Sequence, residues 1–100
     1  MDELFTGTFE ELDRTERHIM VLKATKDNQP VGIIRLSEIT GLPKHLVRYS
    51  LRRLEQDGLI IPTKDGATVS PKYSEFMDSV SSRLDEIESR VEGLRRDIKA

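Results

Sequence analysis

Residues 36 to 69 read LSEITGLPKHLVRYSLRRLEQDGLIIPTKDGATV, and the order of elements in this stretch decides the fold. Ser37 can cap a short helix reaching Thr40, and Gly41 supplies a permissive turn residue. Pro43 suits the first turn of the next helix, where its missing N–H would be unpaired anyway. That second helix, residues 43–57, stops at Asp57-Gly58, where glycine can take the left-handed conformation. Leu59, Ile60 and Ile61, then Ala67, Thr68 and Val69, flank Pro62-Thr63-Lys64-Asp65-Gly66, whose Asp-Gly pair signals a hairpin. Pro62 has no ladder donor, so it must face the sheet edge or lie just beyond the paired region. Short helix, turn, longer helix and hairpin therefore follow one another directly.

The longer helix is basic. With Val47, Leu51 and Leu54 toward a core, a rotation of about 100° per residue puts His45, Tyr49, Arg52 and Gln56 near the opposite face. Arg48 and Lys44 lie on one flank and Arg53 on the other. An α-helix fits the DNA major groove, and arginine can make two parallel bonds to guanine. Arg48 and Arg52 are the candidates for base contact. His45 can donate to a base or a phosphate, Tyr49 can reach a phosphate or pack on a sugar, and Lys44 and Arg53 are placed to hold the backbone. The competing reading of the same face is ordinary solvated helix surface, since arginine is a good helix former.

SEITGLP, VRYSLRRLEQDGLI and the hairpin after them resemble small winged helix-turn-helix transcriptional regulators of bacteria and archaea. The resemblance covers about a third of the chain closely and most of the rest loosely. It implies a DNA-binding regulator and no catalysis. Lys64, at the hairpin tip, resembles the basic wing residues that touch an adjacent minor groove or phosphate; it reads equally as a solubilising residue, and this wing is less basic than many.

Outside this stretch, Thr8 with Glu11 and Asp13 with Glu16 are both spaced as capping boxes, and the main first helix is expected to begin near Asp13. Its apolar residues Ile19, Met20, Val21, Leu22 and Ala24 cover more than one face, which implies a second contact surface. Asn28, Gln29 and Pro30 end it, and the β-branched run from Val31 to Leu36 predicts a first strand of a small sheet. Ser70-Pro71 is a helix opening. From there Tyr73, Met77, Val80, Leu84, Ile87, Val91, Leu94 and Ile98 repeat in alternating steps of four and three, a heptad seam with polar outer positions. Met77, Val80, Leu84, Ile87, Val91, Leu94 and Ile98 are the candidate dimerisation residues, with Tyr73, Phe76 and Met77 also able to pack on the domain. In a parallel pair Arg83 would face Glu88 of a second copy favourably, but Arg90 would face Arg95, so parallel and antiparallel pairing both stand. A fold-back of this helix onto the first one within the chain is the competing arrangement.

The 100 residues are 36% hydrophobic and 34% charged with a net charge of -2, enough for one small core with large solvated faces. Asp2, Glu3, Glu10, Glu11 and Asp13 crowd the start without a base, whereas Lys44, Arg48, Arg52 and Arg53 cluster without an acid among them. Cysteine is absent, which excludes disulfides and thiolate metal sites. No run approaches a membrane span, and the acidic start lacks the features of a signal peptide. His18 and His45 lie on different helices, so no metal site is expected, nor any cofactor. No nucleophile, base and orienting group assemble into a catalytic set.

The expectation is a mainly α fold with a small β-hairpin: residues 8–70 a winged helix-turn-helix domain, residues 71–100 a coiled-coil-like helix for dimerisation. Its partners would be double-stranded DNA and a second copy of the chain, in the cytoplasm, with no small-molecule effector evident. The alternative is a protein-interaction module of a transcription, replication or chromosome-segregation assembly, which the acidic net charge favours slightly.

Overall fold

A computed structural model of the chain describes residues 3–100. Four helices and one antiparallel hairpin follow in the order α1 (Glu3–Asn28), α2 (Ile33–Thr40), α3 (Lys44–Gln56), β1 (Ile60–Thr63), β2 (Gly66–Val69) and α4 (Tyr73–Lys99). The fold is thus mainly helical with a small two-stranded sheet.

The centre of the molecule is the carboxy-terminal half of α1, where Val21, Leu22, Ala24 and Thr25 are buried. Val21 and Leu22 pack with Leu54 of α3 and with Leu59, Ile60 and Ala67 of the hairpin. Ala24 packs with Val31, Leu36 and Val47, joining α2 and α3 to the same helix. Thr25 is satisfied locally, its hydroxyl donating to the Val21 carbonyl at 2.8 Å. Of the apolar residues expected to spread over two faces of this helix, Ile19 is half-buried and Met20 is exposed.

Three expectations from the sequence are corrected. The first helix begins at Glu3 and not near Asp13. Both capping boxes lie inside it, because nothing between them breaks a helix: Gly7 alone costs about 1 kcal/mol, and Glu11 and Arg14 form an ion pair one turn apart. The run Val31 to Leu36 is not a strand. Only Val31 pairs, as an isolated bridge to Ala67, and the chain turns helical at Ile33. A strand would have put Arg35 on the same face as Val31 and Ile33. The helix instead drives Leu36 into the core with Arg35 outside, and burial overrides β-branched propensity. Ser37 accordingly lies within α2 and serves its exit, donating to the Leu42 carbonyl at 2.6 Å.

The last helix starts at Tyr73, after a turn through Pro71 and Lys72 that Ser70 organises. Its oxygen accepts from the Lys72 N–H at 3.1 Å, and its hydroxyl donates to the Gly58 carbonyl at 2.7 Å. In the hairpin, Pro62 lies opposite Ala67 inside the paired region. Ala67 spends its N–H and carbonyl on Val31. Pro62 and Ala67 are therefore a non-hydrogen-bonded pair, and the missing Pro62 donor faces the open edge. Gly66 has φ +129, and a Cβ built on it would meet the Val31 backbone at 2.7 Å. Gly41 has φ +76 but open space around it. We expect Gly66→Ala to cost about 2 to 3 kcal/mol in urea unfolding and Gly41→Ala only about 1 kcal/mol, the difference being the clash with Val31. Equal losses would show that backbone conformation alone is the constraint.

Candidate nucleic-acid interface

α2 and α3 form a helix-turn-helix whose turn is built almost entirely from local hydrogen bonds. Gly41 closes α2 in the left-handed conformation, its N–H reaching the Ser37 carbonyl at 2.9 Å. The Thr40 hydroxyl donates to the Leu36 carbonyl at 2.7 Å and accepts from the Leu42 N–H at 3.2 Å. The Pro43 carbonyl then accepts from the Leu46 and Val47 N–H groups, opening α3. Leu36 and Val47, both fully buried, fix the angle between the two helices from beneath.

Val47, Ser50 and Leu54 face inward on α3. Helical rotation therefore turns Lys44, His45, Arg48, Tyr49, Arg52 and Arg53 outward, and all six are exposed. Among the described residues no carboxylate pairs with Lys44, His45, Arg48 or Arg52. The two arginines Arg48 and Arg52 stand on the flank nearer the hairpin, lining one groove with Pro62 and Thr63. Arg53 stands on the other flank, its Nε 3.2 Å from Asp57 Oδ2, in a cleft shared with Arg14 and His18 of α1. Lys64 is exposed at the hairpin tip, where the Thr63 hydroxyl accepts from the Asp65 N–H and donates to the Gly66 carbonyl.

The helical periodicity gave no sign of the link between α1 and the outward face of α3. His18 Nδ1 lies 2.7 Å from Ser50 Oγ, and the His18 ring tilts against Tyr49 with centroids 5.9 Å apart. The usable signal was Ser50 itself, a polar residue on the core face between Val47 and Leu54 that needs a buried partner. The partner, thirty-two positions away, carries no local mark.

Along α4 the seam divides. Met77 and Val80 are half-buried, and Tyr73, Phe76 and Met77 pack on the core. Leu84, Ile87, Val91, Leu94 and Ile98 are exposed. No helix of the described residues is long and apolar enough to cross a membrane.

No family model matches the chain. Over 65 residues it is 35% identical to an HTH-type transcriptional regulator of Pyrococcus furiosus, itself uncharacterized. The match takes in 65% of this chain and 39% of that protein, so the chain spans well under half of the relative's length.

His18 is held below its ordinary pKa, first by burial, then by the positive charges of Arg53, Arg17 and Arg14, with Asp57 opposing weakly. The imidazolium would also carry an N–H at Nε2, which is buried and meets no partner among the described residues. The unfolded chain therefore binds the extra proton more readily. The stabilising contribution is complete above about pH 6.5 and is lost as pH falls through the lower folded value. We expect His18→Asn, which cannot titrate, to lose less stability than the parent chain between roughly pH 7.5 and pH 5 in denaturant titrations. Parallel losses in the two proteins would remove His18 as the source.

Proposed function

We propose that the chain is a sequence-specific DNA-binding transcriptional regulator of winged helix-turn-helix type that acts as a homodimer, with α3 in the major groove. The observation that carries this reading is the outward face of α3: Lys44, His45, Arg48 and Arg52, unpaired with any carboxylate among the described residues, presented by a helix-turn-helix whose turn is built from local hydrogen bonds. The likeness to an HTH-type transcriptional regulator supports DNA binding and regulation, and supports no enzymatic activity.

In this reading residues 8–70 are the reading domain and residues 71–100 the dimerisation helix, through Met77, Val80, Leu84, Ile87, Val91, Leu94 and Ile98. Arg48 and Arg52 read base edges, where the fork of a guanidinium matches guanine. Lys44 holds a phosphate near the amino end of α3, and His45 donates to a base or phosphate beside it. Tyr49, its ring resting on His18, offers its hydroxyl to the backbone. Arg53 approaches the backbone from the α1 side, its charge partly answered by Asp57. Lys64 brings the wing tip to a neighbouring phosphate. Two copies on a two-fold site would place their α3 helices about 34 Å apart.

Selection from a random duplex library at moderate salt tests the reading. We expect a two-fold motif with half-sites about ten base pairs apart, and affinity falling by about 0.9 log unit per contacted phosphate for each tenfold rise in salt. Arg48→Ala and Arg52→Ala should each cost about 1 to 3 kcal/mol on the selected site and relax discrimination there. Lys44→Ala should weaken all sequences alike and reduce the salt slope by about 1. A folded protein that enriches no motif, with binding insensitive to salt, would replace this reading with a protein-interaction module.

A further inference from the structure

At His18, α1 reaches past the core to the outward face of α3, and its ring meets two neighbours of different kind. Ser50, fully buried on the inward side of α3, has its Oγ 2.7 Å from Nδ1. Tyr49, the adjoining residue on the outward side, is 49% exposed, and its ring lies against that of His18 with centroids 5.9 Å apart and planes 40° apart. The Ser50 contact orients the imidazole, and the imidazole gives the Tyr49 ring a wall on its α1 side. Among the described residues the Tyr49 hydroxyl has no hydrogen-bond partner, so the ring is held while its polar end is free.

A tyrosine on a helix has two ordinary χ1 rotamers. Exchange of one for the other would carry the ring away from His18 and the hydroxyl with it, so the contact selects one. A side chain already fixed in the free protein does not have to be ordered when a ligand binds, and this preorganisation appears as affinity. The other outward groups are independent of His18: Arg48 and Arg52 line the groove beside the hairpin on the opposite flank, and Arg53 is tied to Asp57 on its own helix. A change at the His18 ring therefore acts on the outward face through Tyr49.

We propose that His18 is a positioning residue for DNA binding: through its ring it holds the Tyr49 hydroxyl in place for a backbone phosphate, while its bond to Ser50 serves the fold. The two contacts of one side chain thus have separable effects, one on affinity and one on stability. This rests on the reading of α3 as the DNA-contacting helix and adds a residue of α1 to it.

The test measures stability in urea and affinity for the selected duplex in full-length His18→Phe, which keeps a ring beside Tyr49 and loses the Ser50 bond, and His18→Asn, which keeps a polar atom for Ser50 and loses the ring. Binding is measured where circular dichroism shows each chain folded. We expect His18→Asn to weaken binding about three- to tenfold, and at all sequences alike, because a phosphate contact carries no sequence information. His18→Phe should bind within about twofold of the parent although it is less stable. In a Tyr49→Phe chain, which has no hydroxyl to position, His18→Asn should change affinity by less than about twofold, a coupling that a role in the fold alone would not produce. If His18→Phe does not fold, the His18→Asn comparison in the two Tyr49 backgrounds still decides. A folded His18→Phe chain as weak as His18→Asn, equal losses in both Tyr49 backgrounds, no loss at all, or a loss that changes which sequences are preferred overturns the positioning role and leaves DNA reading standing. A parent chain that selects no motif overturns DNA reading itself, and this inference with it.

Discussion

The paired backbone of Val31 and Ala67 is the constraint on which the placing of the hairpin beside α2 and α3 depends. The Val31 N–H reaches the Ala67 carbonyl at 3.1 Å, and the Ala67 N–H reaches the Val31 carbonyl at 2.8 Å. This two-way bond ties the connection after α1 to the middle of β2, so the hairpin cannot swing away from α2 and α3. It explains why Pro62 is tolerated, because the ladder position opposite Ala67 asks β1 for no donor. It explains why residue 66 is glycine, since the Val31 backbone occupies the space a side chain would take. Gln29 reinforces the tie, its Oε1 accepting from the Val69 N–H at 2.9 Å. A two-stranded hairpin alone is marginal in water; here it gains a third partner and a helical floor.

The helix-turn-helix and the hairpin were legible in the sequence because their signals are local. Gly41, Pro43, Gly58 and the Asp65-Gly66 pair each restrict a few neighbouring residues, and the structure uses each close to where it stands. The outward set on α3 followed from helical rotation about Val47 and Leu54 for the same reason. What failed was decided at a distance. Residues 31 to 36 have strand composition, but Ile33 and Leu36 both turn inward with Arg35 outside, a three-residue spacing that a helix provides and the alternation of a strand does not. The length of α1 is not marked locally, because Thr8 and Asp13 carry cap signals inside a continuous helix and a cap matters only where the chain before it is not already helical. Ser50 is identifiable as a polar residue that needs a buried partner, but nothing local marks His18 as that partner.

The electrostatics reconcile an acidic chain with a candidate nucleic-acid surface. The net charge of -2 is a sum over separated regions. Carboxylates gather on the free half of α1, where Glu3, Glu10, Glu11, Asp13 and Glu16 lie, and along α4, while the outward face of α3 carries none from Lys44 to Leu54. Acids more than a Debye length of about 8 Å away hardly weaken a phosphate contact at α3, whereas Glu11 lines the cleft that also holds Arg53. Asp57, one turn from Arg53, also ties the most α1-directed arginine to its own helix. Positive potential is thereby concentrated on the flank nearer the hairpin, with Arg48 and Arg52.

The molecule is extended for its length, with a radius of gyration of 16.1 Å against about 13 Å for a compact domain of 100 residues. The excess comes from helices that continue after their contribution to the core has ended. α1 is 26 residues long, or about 39 Å, yet its buried residues lie between Val21 and Thr25. Its middle, at His18, touches Ser50 and Tyr49 of α3, so α1 supports that helix from the side opposite the hairpin groove. Neutral His18 belongs to that joint for a physical reason: Arg53, Arg17 and Arg14 repel a positive charge there, and a proton on buried Nε2 would meet no acceptor among the described residues.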